Sequence, residues 1–240
     1  MKKTDSPTDV RIKSRLAWVF REWIRPILVV VIVTCSLRSA VADWNDVPTG
    51  SMKPTILEGD RILVNKLAYD LRIPFTHIRL AKWESPARGE IVVFFSPDQD
   101  IRMVKRVVGV PGDTVELRDN HLLINGQPAG YGPLDPAVIG ESINDVLKQT
   151  HYLAAESVDG DAHPIMLTPG RGAKRSFAPI IVPEDQYFLM GDNRDNSRDS
   201  RWFGFVPQCR IVGRSSHVAL SLDPDRGRWP RWDRFFHKLP

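Results

Sequence analysis

An apolar run, PILVVVIVTCSL at 26–37, limits what this chain can fold into more than any other feature. It carries no charged side chain, so it must find an apolar environment along its whole length. Alone it falls short of the roughly 20 residues that span a hydrocarbon core. Adding Ile24 and the following RSAVA extends it to Ala42. Arg38 then sits near one end, where a long side chain reaches the headgroups. Lys2, Lys3, Arg11, Lys13, Arg15, Arg21 and Arg25 precede the run, against Asp5, Asp9 and Glu22. Such a flank stays cytoplasmic by the positive-inside tendency. The expectation is a basic cytoplasmic segment at 1–23, a single transmembrane anchor at 24–42 and everything after Asp43 on the outer side. A second reading stays open. A basic segment, a short apolar core and Ala40-Val41-Ala42 also describe a secretory signal with its cleavage site. Both readings export the rest of the chain.

Beyond Ala42 the pattern changes. Nineteen prolines and sixteen glycines in 240 residues favour short strands and many turns over a helical bundle. With 42% hydrophobic and 26% charged residues the chain is not of a disordered composition. GEIVVFFS at 89–96 and IRMVKRVVGV at 101–110 read as buried strands. PGD at 111–113 is a turn, and DTVELRDNHLLING at 113–126 is a hairpin with RDNH at its tip. DQYFLMGDN at 185–193 and RIVGRSSHVALSL at 210–222 are later strands. Residues 127–180 are rich in Gly, Pro and polar side chains with weak periodicity. They are expected to form an inserted smaller lobe or long excursion. The prediction is a mostly β domain built from 43–126 and 181–222, with a basic-aromatic tail at 223–240.

The formal charge of +4 is too mild to imply nucleic acid without a clustered patch. The tail DRGRWPRWDRFFHKLP at 225–240 interleaves arginine with Trp229, Trp232, Phe235 and Phe236. An anionic membrane surface, a single-stranded nucleic acid or plain solvation would each suit it. Cys35 and Cys209 fall on opposite sides of the supposed membrane boundary, so no disulfide is expected. None of the six histidines is spaced as in HExxH, and neither a GxSxG elbow nor a Gly-rich phosphate loop occurs. No metal or other cofactor is expected.

Three stretches carry chemistry. In VPTGSMKPT at 47–55, Ser51 lies between Gly50 and Met52, and Pro48 and Pro54 stiffen both sides. A serine hydroxyl is a weak nucleophile without a base. A lysine can serve if neutral, but it ionises near 10.4, so neutrality at pH 7 costs about 4 kcal/mol, which burial can impose. Lys105 suits that role: strand alternation places it with Met103 and Val107, and Arg102, Val104 and Arg106 on the other face. Alternation alone fits a lysine on a half-exposed strand equally well, and Lys53 and Lys66 lie nearer in sequence. The third stretch, GDNRDNSRDSR at 191–201, needs cross-pairing of its charges to be ordered and is otherwise a solvated turn. It lacks the glycine and terminal glutamate placement of a calcium loop.

Taken in order after an apolar segment, PTGSMKPT, KRVVGVPGDTV and GDNRDNSRDSR resemble the type I signal peptidase family, the bacterial Ser/Lys leader peptidases. The resemblance covers roughly 20–130 and 181–220. It implies a β-rich catalytic domain with a smaller β extension. It implies Ser51 as nucleophile and Lys105 as general base, with the Ser51 N–H and the Thr49 side chain as oxyanion hole. Many relatives carry serine where Thr49 stands. It further implies Ser197 as the residue that orients the lysine, Asp199 and Arg201 as a brace, and Arg106 in a structural role. The implied partners are preprotein signal peptides, cut after small residues (Ala-x-Ala), and the lipid bilayer. The implied location is the outer side of the bacterial cytoplasmic membrane. A same-fold processing protease with one dedicated substrate, such as a pilin or conjugation component, and a non-catalytic membrane-anchored β protein remain open. Met52 and the apolar residues near 82–85 and 94–103, with Trp83, are expected to face lipid.

Overall fold

The structure, a computed structural model, describes residues 18, 20–73, 76, 78–134 and 151–240. The basic residues before Trp18, His77 and part of the expected lobe (135–150) lie outside the described residues. A π-helical turn (Phe20–Ile24) leads into α1 (Arg25–Ala40). The large side chains from Ile27 to Val33 are each about half exposed, so among the described residues no neighbouring element covers this stretch of the helix. Among the described residues no helix is long and apolar enough to cross a membrane. The helix ends at Ala40, before the expected limit at Ala42, because Ala42 already belongs to a strand.

Among the described residues the remainder is almost entirely β. In chain order the strands are β1 (Ala42–Asp46), β2 (Asp60–Asn65), β3 (Asp70–Arg72), β4 (Arg79–Lys82), β5 (Ile91–Phe95), β6 (Arg102–Gly109), β7 (Thr114–Arg118) and β8 (His121–Ile124). There follow β9 (Gln127–Pro128), β10 (Gly130–Gly132), β11 (Tyr152–Val158), β12 (Asp161–Leu167) and β13 (Phe177–Ile181). The last are β14 (Gln186–Met190), β15 (Val206–Pro207), β16 (Ile211–Asp223) and β17 (Trp229–Pro230), with a short helix α2 (Ser200–Phe203) after β14. The main sheet runs β1-β2-β16-β5-β6-β14-β15, with β17 paired to β16. A second sheet is ordered β13-β7-β8-β9, a third β10-β11-β12, and β3 pairs with β4 alone.

The pairings follow from side-chain patterning. In β2, Asp60, Ile62 and Val64 are buried and the residues between them exposed. In β5, Ile91 to Phe94 are all buried, as a central strand covered on both faces must be. Ile91 and Val93 join one apolar cluster with Ile62, Val64, Val104 and Val218, while Val92 and Phe94 join another with Val107, Leu189 and Ile211. The long β16 pairs with β5 at one end and β2 at the other, with register shifts in both ladders. Such irregularities bend a strand and curl its sheet. The β7–β8 hairpin turns through Asp119 and Asn120, both at positive φ (48° and 65°), within the RDNH tip expected from sequence.

Residues 127–180 are not one piece. Strands β9 and β13 complete the second sheet around β7 and β8, and β10–β12 form a separate antiparallel unit. The weak periodicity of that unit has a physical reason. Its apolar contact with the main body is confined to a few side chains, Met166 and Leu153 against Leu57, and Val158 at another cluster, and the rest of the buried contact is polar. Glu156, fully buried on β11, pairs bidentately with Arg194, and His163 and the Tyr131 hydroxyl contact the same carboxylate. Two expectations need correction. Met52, placed against lipid from sequence, is 1% exposed because its side chain fills the core between Ile56 and Val104. The closing tail folds back, with Arg234 and Leu239 buried, although Trp229, Trp232 and Phe236 are exposed. Trp83 is about half exposed, its indole N–H donating to the Leu67 carbonyl. Cys35 and Cys209 are free and exposed.

The Ala40-Val41-Ala42 triplet runs directly into paired strand. Ala42 and Asp43 lie opposite Asn65 and Val64, and the Asp43 carboxylate contacts Lys66 (3.4 Å) and Arg102 (3.2 Å). A protease needs an extended segment free to enter its cleft. N-terminal sequencing after prolonged incubation of the purified chain should therefore not yield Asp43 as a new terminus. Accumulation of that terminus would show that β1 opens readily.

Candidate active site

Ser51 sits in a single 3-10 turn, Gly50–Met52, after Thr49 in extended conformation. The buried Met52 side chain pins the turn to the core, and the Lys53 N–H donates to the Gly50 carbonyl (3.1 Å). The turn is also held from across the molecule. The Asn193 N–H donates to the Ser51 carbonyl (3.1 Å), and Asn193 Nδ2 donates to the Gly50 carbonyl (3.0 Å). Gly191 is required by this approach, since a Cβ there would lie 2.4 Å from the Ser51 carbonyl oxygen.

Lys105 lies in the middle of β6 between β5 and β14 and is 1% exposed. Its Nζ is 2.6 Å from Ser51 Oγ and donates to the Val104 carbonyl at 2.8 Å. Burial pushes the ammonium down to about 8; the Asp199 and Asp192 carboxylates oppose this, and the Arg201 guanidinium reinforces it. Of the two nearer lysines, Lys53 pairs with Glu58 (3.1 Å) and Lys66 with Asp43 (3.4 Å). A neutral amine so placed presents a lone pair to the serine proton, the arrangement needed for an activated nucleophile.

Two buried ion pairs flank the amine. Asp199 accepts from Arg201 Nε and Nη2, both at 2.8 Å, accepts from the Gly191 N–H (3.0 Å) and caps α2 through the Arg201 N–H. Burial opposes ionisation of Asp199, but Arg201 prevails and holds its carboxyl below the usual range. On the opposite face of β6, Arg106 clamps Asp192 through Nε (2.9 Å) and Nη2 (2.8 Å), and Thr55 Oγ1 donates to the same carboxylate. Arg106 is thus buried as deeply as Lys105, where alternation alone left its cover undefined.

Not every expected residue meets the amine. The Ser197 hydroxyl is buried and makes no hydrogen bond within normal limits, to Lys105 or otherwise. It lies close enough to Asp199 to help hold that carboxyl ionised, but geometry marks it as unbonded. Thr49 is exposed and its side chain makes no capping bond. Sequence reasoning missed Asn193, Gly191 and Thr55. Each acts on backbone or carboxylate far along the chain, and no local pattern marks such contacts. Among the described residues no group of three or more His, Cys, Asp or Glu side chains is arranged to hold a metal ion.

Comparison with known proteins adds the family. The model of "Signal peptidase, peptidase S26" matches residues 20–220. A signal peptidase I from Buchnera aphidicola (subsp. Acyrthosiphon pisum, strain APS) is 31% identical over 229 residues, covering 81% of this chain and 73% of that one. One from Pseudomonas aeruginosa is 36% identical over 222 residues, covering 87% and 75%. Signal peptidase I P of Bacillus subtilis subsp. natto is 32% identical over 203 residues, covering 84% and 90%.

The depressed lysine has a consequence for stability. An ordinary lysine in the unfolded chain ionises near 10.5, against about 8 here, so below pH 8 folding carries a penalty of about 3 kcal/mol. Between these values the unfolded chain binds more protons, so stability rises with pH. Lys105→Met should therefore gain most stability at or below pH 8, with the gain gone by about pH 10.5. Denaturant midpoints across that range check the sign, and a gain independent of pH would mean Lys105 is not neutralised by burial.

Proposed function

Because the chain belongs to the signal peptidase family, peptidase S26, and is an enzyme of the signal peptidase I class, we propose that it removes signal peptides from preproteins by a Ser51/Lys105 dyad. The observation that carries this reading is the 2.6 Å approach of a fully buried, readily neutralised amine to Ser51 Oγ. Ser51 Oγ attacks the scissile carbonyl as Lys105 Nζ takes its proton, giving a tetrahedral oxyanion. The Ser51 N–H and the Thr49 hydroxyl donate to that oxyanion, Thr49 after a side-chain rotation. Collapse of the oxyanion expels the new N-terminus of the mature protein, which takes the proton from Lys105, and leaves the signal peptide as an ester on Ser51. Water then attacks the ester, again giving a proton to Lys105, which returns it to Ser51. Asp199 with Arg201 braces the amine, and Ser197, whose hydroxyl is buried and unbonded in the free enzyme, orients it after a side-chain rotation.

The substrate is read as an extended strand. Its first and third side chains before the bond lie on one side, so one wall can require small residues at both, as in Ala-x-Ala. The anchor reading of 24–42 is supported by the all-round exposure of the apolar side chains in α1. The helical run 20–40 is about 30 Å long. Trp18, Phe20 and Trp23, all more than half exposed, form an aromatic group at its start, as at a membrane interface. The catalytic β domain, built from 43–126 and 181–222, then works at the outer face of the cytoplasmic membrane of a bacterium.

Purified protein with an Ala-x-Ala preprotein tests this. Ser51→Ala and Lys105→Ala should each abolish cleavage with the fold intact, and the double variant should be little worse than either. Turnover should rise through about pH 8 and hold on the alkaline side, because the base is the deprotonated form. Near-normal turnover of Lys105→Ala, or a rate falling steadily from about pH 6 to about pH 9, would refute the dyad.

Two substitutions separate the finer points. Thr49→Val keeps shape and removes a donor, so turnover should fall by about 10²–10³ with little change in KM, while Thr49→Ser is tolerated. Phe in place of the residue before the scissile bond should block cleavage by steric clash. Equal cleavage of the Phe substrate would remove the small-residue specificity.

A further inference from the structure

The closing segment of the chain contacts both sides of the dyad. After β17 it makes a 3-10 turn (Trp232–Arg234) and runs back along β16, where the Val218 N–H donates to the His237 carbonyl and the Leu239 N–H to the Ser216 carbonyl, both at 2.8 Å. Leu239 is buried in the same apolar cluster as Met52 and Ile56, the residues that seat the Ser51 turn. The Arg234 guanidinium, also buried, spans two acceptors. Its Nη2 donates to Asp60 Oδ2 (2.7 Å) and to the Thr55 carbonyl (3.0 Å). Asp60 is itself fully buried and accepts from the Leu57 N–H (2.9 Å) and from Ser221 Oγ (2.6 Å). On the lysine side, Arg106 Nη1 donates to the Pro240 main-chain oxygen at 2.9 Å.

These contacts form a closed path. Arg234 fixes the Thr55 main chain, the Thr55 hydroxyl donates to Asp192, Asp192 is clamped by Arg106, and Arg106 returns to the closing segment. Thr55 stands four residues after Ser51, and Arg106 one residue after Lys105. We propose that residues 231–240 are a strap that sets the distance between Ser51 and Lys105, with Arg234 as its principal positioning residue. The proposal rests on the Ser51/Lys105 reading of the site. Arg234 touches no reacting atom. It acts by holding one end of the nucleophile turn, and a displacement of about 1 Å there can cost about a hundredfold in rate. Nη2 meets both acceptors while Nε turns to Asp60 Oδ1 (3.4 Å), and a lysine ammonium lacks the planar fork that meets the two carboxylate oxygens together.

The test uses the full chain in detergent micelles with an Ala-x-Ala preprotein. Turnover is expressed per folded molecule, at a temperature well below each variant's thermal midpoint. Arg234→Ala should lower kcat by about tenfold to a hundredfold with KM within about twofold. Arg234→Lys should recover part of that loss, and Leu239→Ala should lower kcat less. A role in stability alone would move the thermal midpoint and leave kcat per folded molecule unchanged. If Arg234→Ala does not fold, Arg234→Lys and Leu239→Ala decide, and kcat within about twofold of the parent in both overturns the strap. Ser51→Ala in the same assay separates the two readings. Residual turnover there refutes the dyad, whereas a dead Ser51→Ala beside an unaffected Arg234→Ala refutes the strap alone.

Discussion

The buried pair between Arg106 and Asp192 is the contact on which the rest of this site depends. Both side chains are almost wholly excluded from water and joined by two parallel hydrogen bonds. A buried ion pair contributes little net stability, because desolvation offsets the attraction, but losing one partner costs about 3–5 kcal/mol. Its value here is positional. It ties the centre of β6 to the loop after β14 and, through Thr55, to the turn after Ser51. Three segments distant in sequence are thereby fixed to one carboxylate.

Adjacent residues on β6 show how one strand can hold a charge and suppress one. Arg106 is fully partnered, by a carboxylate and two main-chain oxygens. Lys105, on the other face, finds only one carbonyl and a hydroxyl, so burial dominates and the amine loses its proton readily. Asp192 and Asp199 are near enough to oppose this, but each is already committed to an arginine. Without those arginines two bare carboxylates would favour the charged amine. The acidic–basic loop thus sets the protonation of Lys105 as well as its position.

Support for the site converges from elements that local pattern does not link. The β10–β12 unit reaches the loop at 191–196 through the Glu156–Arg194 pair and through the Met166 main chain, which accepts from the Arg194 N–H and donates to the Asp192 carbonyl. The same loop, through Asn193, holds the carbonyls of Gly50 and Ser51. The unit that looked least regular in sequence is therefore one residue removed from the Ser51 turn.

The sequence by itself determined the central strands and singled out the candidate reacting groups. Runs such as IVVFF and RMVKRVVG can be satisfied only as covered strands, a hairpin tip such as RDNH has few conformations, and a serine held between prolines invites the search for a base. The three motifs in order named the family. Tertiary structure decided which lysine meets Ser51, since alternation fits Lys105 as well to a half-exposed strand and places no cover over Arg106. It also decided that Met52 is core rather than surface, that the basic-aromatic tail is built into the fold, and that Asn193 and Gly191 grip the Ser51 turn. Local propensity depends on neighbours within a few residues, and those patterns are written in the chain. Burial, protonation and hydrogen-bond partners depend on segments such as 51, 105, 192 and 234 that meet only when the sheet closes.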